Sequence, residues 1–194
     1  MTSLRENAGK HLGHIILTTV IFLVLNRINE LMFIQFEQSA GINWVFIPAG
    51  VRLLATLLFG FAGFVGLLLA GLYLNFFHFV FETEFRALSG ALAGALAPYL
   101  AYLFAKHWFF LGPRLEGLTV PRLLFTAMLC GLLSPIVHHA FMWVQTGTVD
   151  WFALMVMIIG DVIGILIVLF SAKALIALAD RYHPAARFIR RWLP

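Results

Sequence analysis

Long apolar runs without charged residues are the feature that most constrains this chain. A bilayer core of about 30 Å needs roughly 20 apolar residues per helix, and several runs reach that length. Charged residues make up only 11% of the 194 residues, against about 25% in an ordinary soluble domain. This composition excludes soluble and disordered proteins, and a single cysteine excludes a disulfide framework. We therefore predict an all-α integral membrane protein.

The apolar runs predict a polytopic bundle of six transmembrane helices. Its spans are residues 12–34, 49–60, 61–79, 87–105, 122–144 and 150–178. A single helix over 49–79 would measure roughly 46 Å, too long for one ordinary span, so we divide it at the glycines that begin with Gly60. The resulting second helix is too short to cross alone. We expect the preceding apolar segment, residues 41–50, to enter the outer half of the bilayer as a re-entrant-like loop of irregular backbone.

The distribution of basic residues predicts the orientation. With six spans, both termini and the segment 106–122 share one side, which carries most of the lysines and arginines, while the opposite loops carry Glu37, Glu82, Glu84 and Asp150. The positive-inside rule then gives N-in and C-in topology in a bacterial inner membrane, with both termini cytoplasmic. Residues 1–194 form one membrane domain. Residues 180–194 are predicted to be a basic amphipathic tail on the anionic leaflet or a docking site for a soluble partner, with no role in nucleic-acid binding.

Polar residues within the spans are the candidate site, because a buried ionisable group in a membrane is costly and often functional. The polar residues of the spans all lie in the predicted outer half of the bilayer, and every predicted span except the fourth contributes at least one. They are Arg27, Glu30, Arg52, Asn75, His78, His138 and Asp161. His138 and His139 point about 100° apart on a helix, so we expect at most one of them in the site.

Structural roles compete with ligand binding at several of these positions. Arg27 and Glu30 have the i, i+3 spacing of a mutually neutralising pair. Arg52 could serve as the structural counter-ion of Asp161, and we expect Asp161 to have a cationic or hydrogen-bonding partner on another helix. The Gly90-x-x-x-Gly94 and Gly160-x-x-x-Gly164 patterns indicate close helix packing.

Two segments resemble the bacterial membrane-associated sensor (MASE) family of the first type. The first is INWVFIPAGVRLLATLLFGFAGFVGLLLAGLYLN, and the second is RLLFTAMLCGLLSPIVHHAFMWVQTGTVDWFALMVMIIGDVIGILIVLF. The resemblance carries over Trp44, Pro48, Gly50, Asn75, Gly160 and Asp161. It implies sensing rather than catalysis. Family members usually have about eight spans fused to cytoplasmic signalling domains, whereas this chain has six predicted spans and no output domain, so the resemblance implies a separate signalling partner.

The six predicted spans, the long first outer loop and the short second helix also resemble substrate-binding subunits of energy-coupling-factor vitamin transporters. Enzymatic motifs are absent from the sequence, and haem ligation by His78 with His138 ranks lower. We predict no enzyme activity, no cofactor and no metal. The predicted function is a sensor-like or ligand-binding module with an outward-facing polar pocket, and the alternative is a transporter subunit. Either function needs a small-molecule ligand and a protein partner.

Overall fold

The computed structural model describes residues 2–33, 35, 37–39, 42–81, 83–113 and 115–182. Helix α1 covers Thr2–Phe33 and is followed by a two-stranded antiparallel hairpin of β1 (Glu37–Ser39) and β2 (Ile42–Asn43). The remaining helices are α2 (Pro48–Phe59), α3 (Phe61–Tyr73) with a π-helical turn (Leu74–His78), α4 (Glu84–Trp108), α5 (Val120–Thr146) and α6 (Trp151–Tyr182). The predicted all-α architecture with six helices is confirmed.

Five of these helices are long and apolar enough to cross a membrane. The exception is α2, which has 12 residues and is about 18 Å long. It begins at Pro48, which suits a first helical turn because proline lacks an amide hydrogen. It ends at Gly60, whose positive φ of 55° lets the chain reverse into α3. The predicted division of 49–79 into two helices is thus confirmed.

The short helix α2 lies at the centre of the bundle. It contacts each of the five other helices, and α6, α3 and α4 provide its most extensive interfaces. Most of its residues are buried, and Leu53 and Leu57 join Ala101, Ala127 and Ile165 in an apolar core. Polar side chains on the first turns of α2 are therefore enclosed by neighbouring helices.

The irregular segment between β2 and α2 packs against two glycines of α6. A Cβ atom placed on Gly160 would collide with the Asn43 carbonyl, and one on Gly164 would collide with the Phe46 carbonyl. The Phe46 amide donates to the Gly160 carbonyl at 3.1 Å, and the Ile47 amide donates to the Asn29 side chain at 2.9 Å. The glycine pair predicted to pack against a helix instead accommodates this loop, whose backbone groups find partners inside the protein.

Three helices extend by three residues or more beyond a predicted end. Helix α1 begins at Thr2 rather than at residue 12, and α4 begins at Glu84 rather than at residue 87. In α4 the Thr83 hydroxyl accepts a hydrogen bond from the Arg86 amide and caps the helix. Helix α6 continues to Tyr182, so the predicted tail of residues 180–194 starts inside this helix. Residues 183–194 lie outside the described part of the chain.

Candidate functional site

A cavity of about 130 Å³ with both polar and apolar walls lies at the end of the bundle that carries the hairpin. Arg86 and Gln145 line it and are exposed at the protein surface, so they mark its mouth. Phenylalanine and methionine side chains form part of its walls. Its polar lining residues are Asn26, Asn43, Arg52, Asn75, Arg86, Ser89, His138, His139, Gln145 and Asp161. Of the predicted site residues, the structure brings Arg52, Asn75, His138 and Asp161 together here.

Arg52 projects from the central helix into this cavity. Its guanidinium carbon lies 5.3 Å from the centre of the Phe22 ring and 4.9 Å from that of Phe46. Such contacts are favourable because the negative faces of aromatic rings attract the cation. Its Nη1 atom donates to the Ser134 hydroxyl at 3.4 Å, a long and therefore weak hydrogen bond. The remaining guanidinium N–H groups have no hydrogen-bond acceptor among the described residues.

Asp161 faces Arg52 from α6 and is only 2% exposed. Its carboxylate interacts electrostatically with Arg52 and with the Ser134 hydroxyl of α5. The ion pairs of the described residues do not include a direct contact between Arg52 and Asp161. Ser134 accepts a hydrogen bond from the guanidinium, so its own hydrogen can point to the carboxylate. The two charges are thus not in direct contact, and the Ser134 hydroxyl of α5 lies near both of them.

The adjacent histidines His138 and His139 both line the cavity, contrary to the expectation that at most one would. His139 faces the interior, whereas the imidazole of His138 approaches Gly90 of α4. Because Gly90 has no side chain, there is room beside α4. The cavity therefore extends around α5 far enough to reach both histidine side chains. Each histidine has a buried Nε2 atom with no hydrogen-bond partner in the part of the chain that the structure describes.

The hydrogen bond made by His139 determines which of its nitrogen atoms is protonated. Its Nδ1 atom lies 3.0 Å from the Pro135 carbonyl, which can only accept. Nδ1 must therefore carry the hydrogen, and in the neutral imidazole Nε2 is a bare acceptor. His139 is 4% exposed, and this acceptor has no partner among the described residues. A buried acceptor without a partner costs about 1–3 kcal/mol, so a bound donor in the cavity would be stabilised.

Asn75 enters the site through the π-helical turn at the end of α3. It is 9% exposed, and its amide donates to the Ala87 carbonyl of α4 at 2.8 Å. A Cβ atom on Gly90 would lie 2.9 Å from the same amide. A Cβ atom on Gly94 would lie 3.3 Å from the Arg52 Nη2 atom. The predicted close packing at Gly90 and Gly94 therefore accommodates polar side chains of the cavity.

Three other predicted residues form a separate polar network. The Glu30 carboxylate lies 3.1 Å from Arg27 Nη1 and 2.9 Å from His78 Nε2, and it accepts from the Asn26 amide at 2.8 Å. Arg27 is 63% exposed, and of these four residues only Asn26 lines the cavity. The structural interpretation of the Arg27–Glu30 pair fits this geometry. The network connects α1 to the π-helical turn.

Trp44 does not line the cavity, although its neighbours Asn43 and Phe46 do. Its ring packs edge-to-face on Phe152, at 6.1 Å between centroids. Such a contact positions the loop against the start of α6.

Several lining residues were not predicted from the sequence, namely Asn26, Asn43, Arg86, Ser89, His139 and Gln145. The expectation that the fourth helix contributes no polar group is wrong, because Ser89 lies within its predicted span and α4 begins early enough to include Arg86 as well. The Thr83 capping residue was the available signal for that earlier start.

Comparison with known proteins returned no match to a family model, to a curated protein or to a solved structure. The resemblances to sensor domains and to transporter subunits therefore remain predictions.

Proposed function

We propose that this chain is a membrane-embedded ligand-binding module of the sensor type, which captures a small molecule and passes its occupancy to a partner protein. The observation that carries the proposal is the cavity itself. It combines Arg52, Asp161 and the unpartnered Nε2 atom of His139 at positions enclosed by the helices. Buried charges and unpaired polar atoms are costly. A ligand that pairs with them would offset part of that cost.

The proposed orientation places the mouth of the cavity on the outer face of a bacterial inner membrane. At the cavity end, Glu84 is the first residue of α4 and Asp150 directly precedes α6. Lys10, Lys106 and Arg122 lie towards the opposite ends of their helices. The positive-inside rule assigns the basic end to the cytoplasm. Both termini are then cytoplasmic, and the ligand arrives from outside.

The lengths of α1 and α6 support sensing over transport. Each has 32 residues, which corresponds to about 48 Å of helix against a hydrocarbon core of about 30 Å. Helix α1 begins and helix α6 ends at the side opposite the cavity. In the proposed orientation, their surplus length therefore projects towards the cytoplasm. These projecting ends offer a signalling partner a surface that moves with the helices around the ligand.

The ligand-binding proposal is tested by analysing what the purified protein carries. The wild type is isolated with its native lipids, denatured, and its released small molecules are identified by mass spectrometry. Ser89→Trp obstructs the cavity near its mouth, and it removes only a hydroxyl that bonds to the Arg86 carbonyl of its own helix. Ser171→Trp is the matched control because Ser171 is exposed on α6 outside the cavity.

We expect one small molecule to be enriched in the wild type and in Ser171→Trp, and to be lost in Ser89→Trp. Equal small-molecule content in all three proteins would contradict the proposal.

A photo-crosslinker at Lys10 then tests the partner in native membranes. Crosslinks to a signalling enzyme or regulator support sensing, and crosslinks to a transport ATPase complex support the transporter alternative.

A further inference from the structure

We infer that the ligand is a planar monocarboxylate of about the size of benzoate that also carries a hydrogen-bond donor. This inference rests on the proposed function and specifies its ligand. The cavity volume of about 130 Å³ is close to that of an engineered protein cavity of about 150 Å³ that binds benzene. A single six-membered ring with one or two small substituents thus matches this volume.

The charges around the cavity favour an anion. Among the lining residues that the structure describes, Arg52 and Arg86 are positively charged and Asp161 is negatively charged. With neutral histidines these described residues carry one net positive charge, which one carboxylate neutralises. Arg86 is exposed at the mouth, so Arg52, which Asp161 faces, is the cation inside the cavity that can meet the carboxylate.

The surroundings of Arg52 favour a carboxylate over other anions. Phe22 and Phe46 contact its guanidinium as cation–π partners. These rings provide no hydrogen-bond acceptor for the N–H edge of the guanidinium. Within the described ranges of the chain, that edge donates only the long bond to Ser134. A guanidinium edge matches the two oxygens of a carboxylate, and such bidentate pairs are among the strongest charged hydrogen bonds.

Besides the carboxylate, the ligand needs a hydrogen-bond donor, because the cavity also contains acceptors. His139 Nε2 is a buried acceptor because the Pro135 carbonyl holds the hydrogen on Nδ1. Asp161 adds a carboxylate to the same cavity. A simple monocarboxylate would leave both acceptors without a new partner, whereas a hydroxyl or amino group on the ligand supplies one.

The apolar part of the lining favours a ring between these two polar groups. Phe79 and Phe81 stack on each other at 5.9 Å between centroids and line the cavity together with Met142 and Met157. Aromatic faces and polarisable sulfur atoms both pack well on a planar ring. The ligand class that satisfies volume, charge, donor and walls together is a hydroxy- or amino-substituted aromatic acid.

The test measures binding of seven probes to the full chain in lipid nanodiscs, with empty nanodiscs correcting for partition into lipid. The probes are the 2-, 3- and 4-hydroxybenzoates, their three amides, and unsubstituted benzoate. We expect at least one hydroxybenzoate to bind about tenfold or more tightly than both its amide and benzoate, because each lost charged or buried hydrogen bond costs about that factor. Amides that bind as tightly as their acids would overturn the anionic class, and benzoate binding equally well would overturn the donor.

Substitutions then locate the carboxylate. Arg52→Gln should abolish the preference for the acid over its amide, while Arg27→Gln, an exposed arginine outside the cavity, should retain it. If Arg52→Gln does not fold, the probe series on the wild type still decides the ligand class. If no probe binds although a small molecule is lost from Ser89→Trp on purification, the ligand class is wrong and the proposed function stands.

Discussion

Replacing Gly164 with alanine should destabilise the loop that carries Phe46 into the bundle. The added Cβ atom would occupy the position of the Phe46 carbonyl oxygen and would also crowd the Ile47 amide, which lies 2.9 Å from it. Both neighbours are backbone atoms, so no side-chain rotation relieves the collision. The segment 46–47 must move away from α6.

The expected loss of stability follows from the contacts that this movement breaks. Inserting a methyl group into a packed interior typically costs about 1–3 kcal/mol. The shift also weakens the hydrogen bond from the Phe46 amide to Gly160 and that from the Ile47 amide to Asn29, each worth about 0.5–1.5 kcal/mol. Since partial movement retains some of these contacts, we expect a total loss of about 2–4 kcal/mol.

Reversible unfolding in bicelles measures this difference, and Gly13→Ala is the matched control. Gly13 also lies in a helix, but a Cβ atom placed there meets no atom within 4 Å. The control should retain wild-type stability or gain slightly, because alanine favours a helix over glycine. If Gly164→Ala unfolds within about 0.5 kcal/mol of the control, the loop does not contact α6 as described.

Three further changes test other parts of the structure. A double-mutant cycle of Arg52→Gln and Asp161→Asn should give a coupling free energy of about 1 kcal/mol or more through Ser134, and strictly additive losses would refute their interaction. Glu30→Gln should lower the free energy of unfolding by less than about 1 kcal/mol, because its contacts are partly exposed; a larger loss would make the Glu30 network a major source of stability. A reporter fused after Pro194 should be cytoplasmic, and an external reporter would contradict the N-in and C-in topology.

The helices of this protein could be predicted from sequence because hydropathy reports span length directly. The division at Gly60 followed because a single helix over residues 49–79 would be too long for one span. The structure places a chain reversal there. The short second helix was also recognised from its length. Its central position was not, because α2 is no more apolar than a lipid-facing helix and its enclosure depends on tertiary contacts.

The site was predicted only in part because apolar residues face both lipid and protein interior in a membrane bundle. The rotation of each helix about its axis is therefore poorly encoded in the hydrophobic pattern. Arg27 and Arg52 were equally plausible as internal charges, yet Arg27 is 63% exposed and Arg52 lines the cavity. That His138 and His139 both line the cavity could not be predicted without the position of Gly90 beside His138. The contact between the loop and Gly160 likewise joins segments far apart in the chain.

Access of water to the cavity tests the central claim most directly. Met157 is 8% exposed and lines the cavity, whereas Met155 is 45% exposed on the surface of the same helix. Cysteine replaces each methionine in a Cys130→Ser background, which removes the buried native thiol. A small anionic methanethiosulfonate that does not cross membranes is then added outside intact spheroplasts.

We expect Met157→Cys to react from outside, because a thiol in a water-filled cavity can ionise to the reactive thiolate. Met155→Cys should remain unmodified, since a thiol facing hydrocarbon stays protonated. A hydroxybenzoate that binds the protein should protect Met157→Cys from the reagent. If Met157→Cys is inert from outside, or reacts only when the reagent reaches the cytoplasmic face, the protein has no outward-facing ligand cavity.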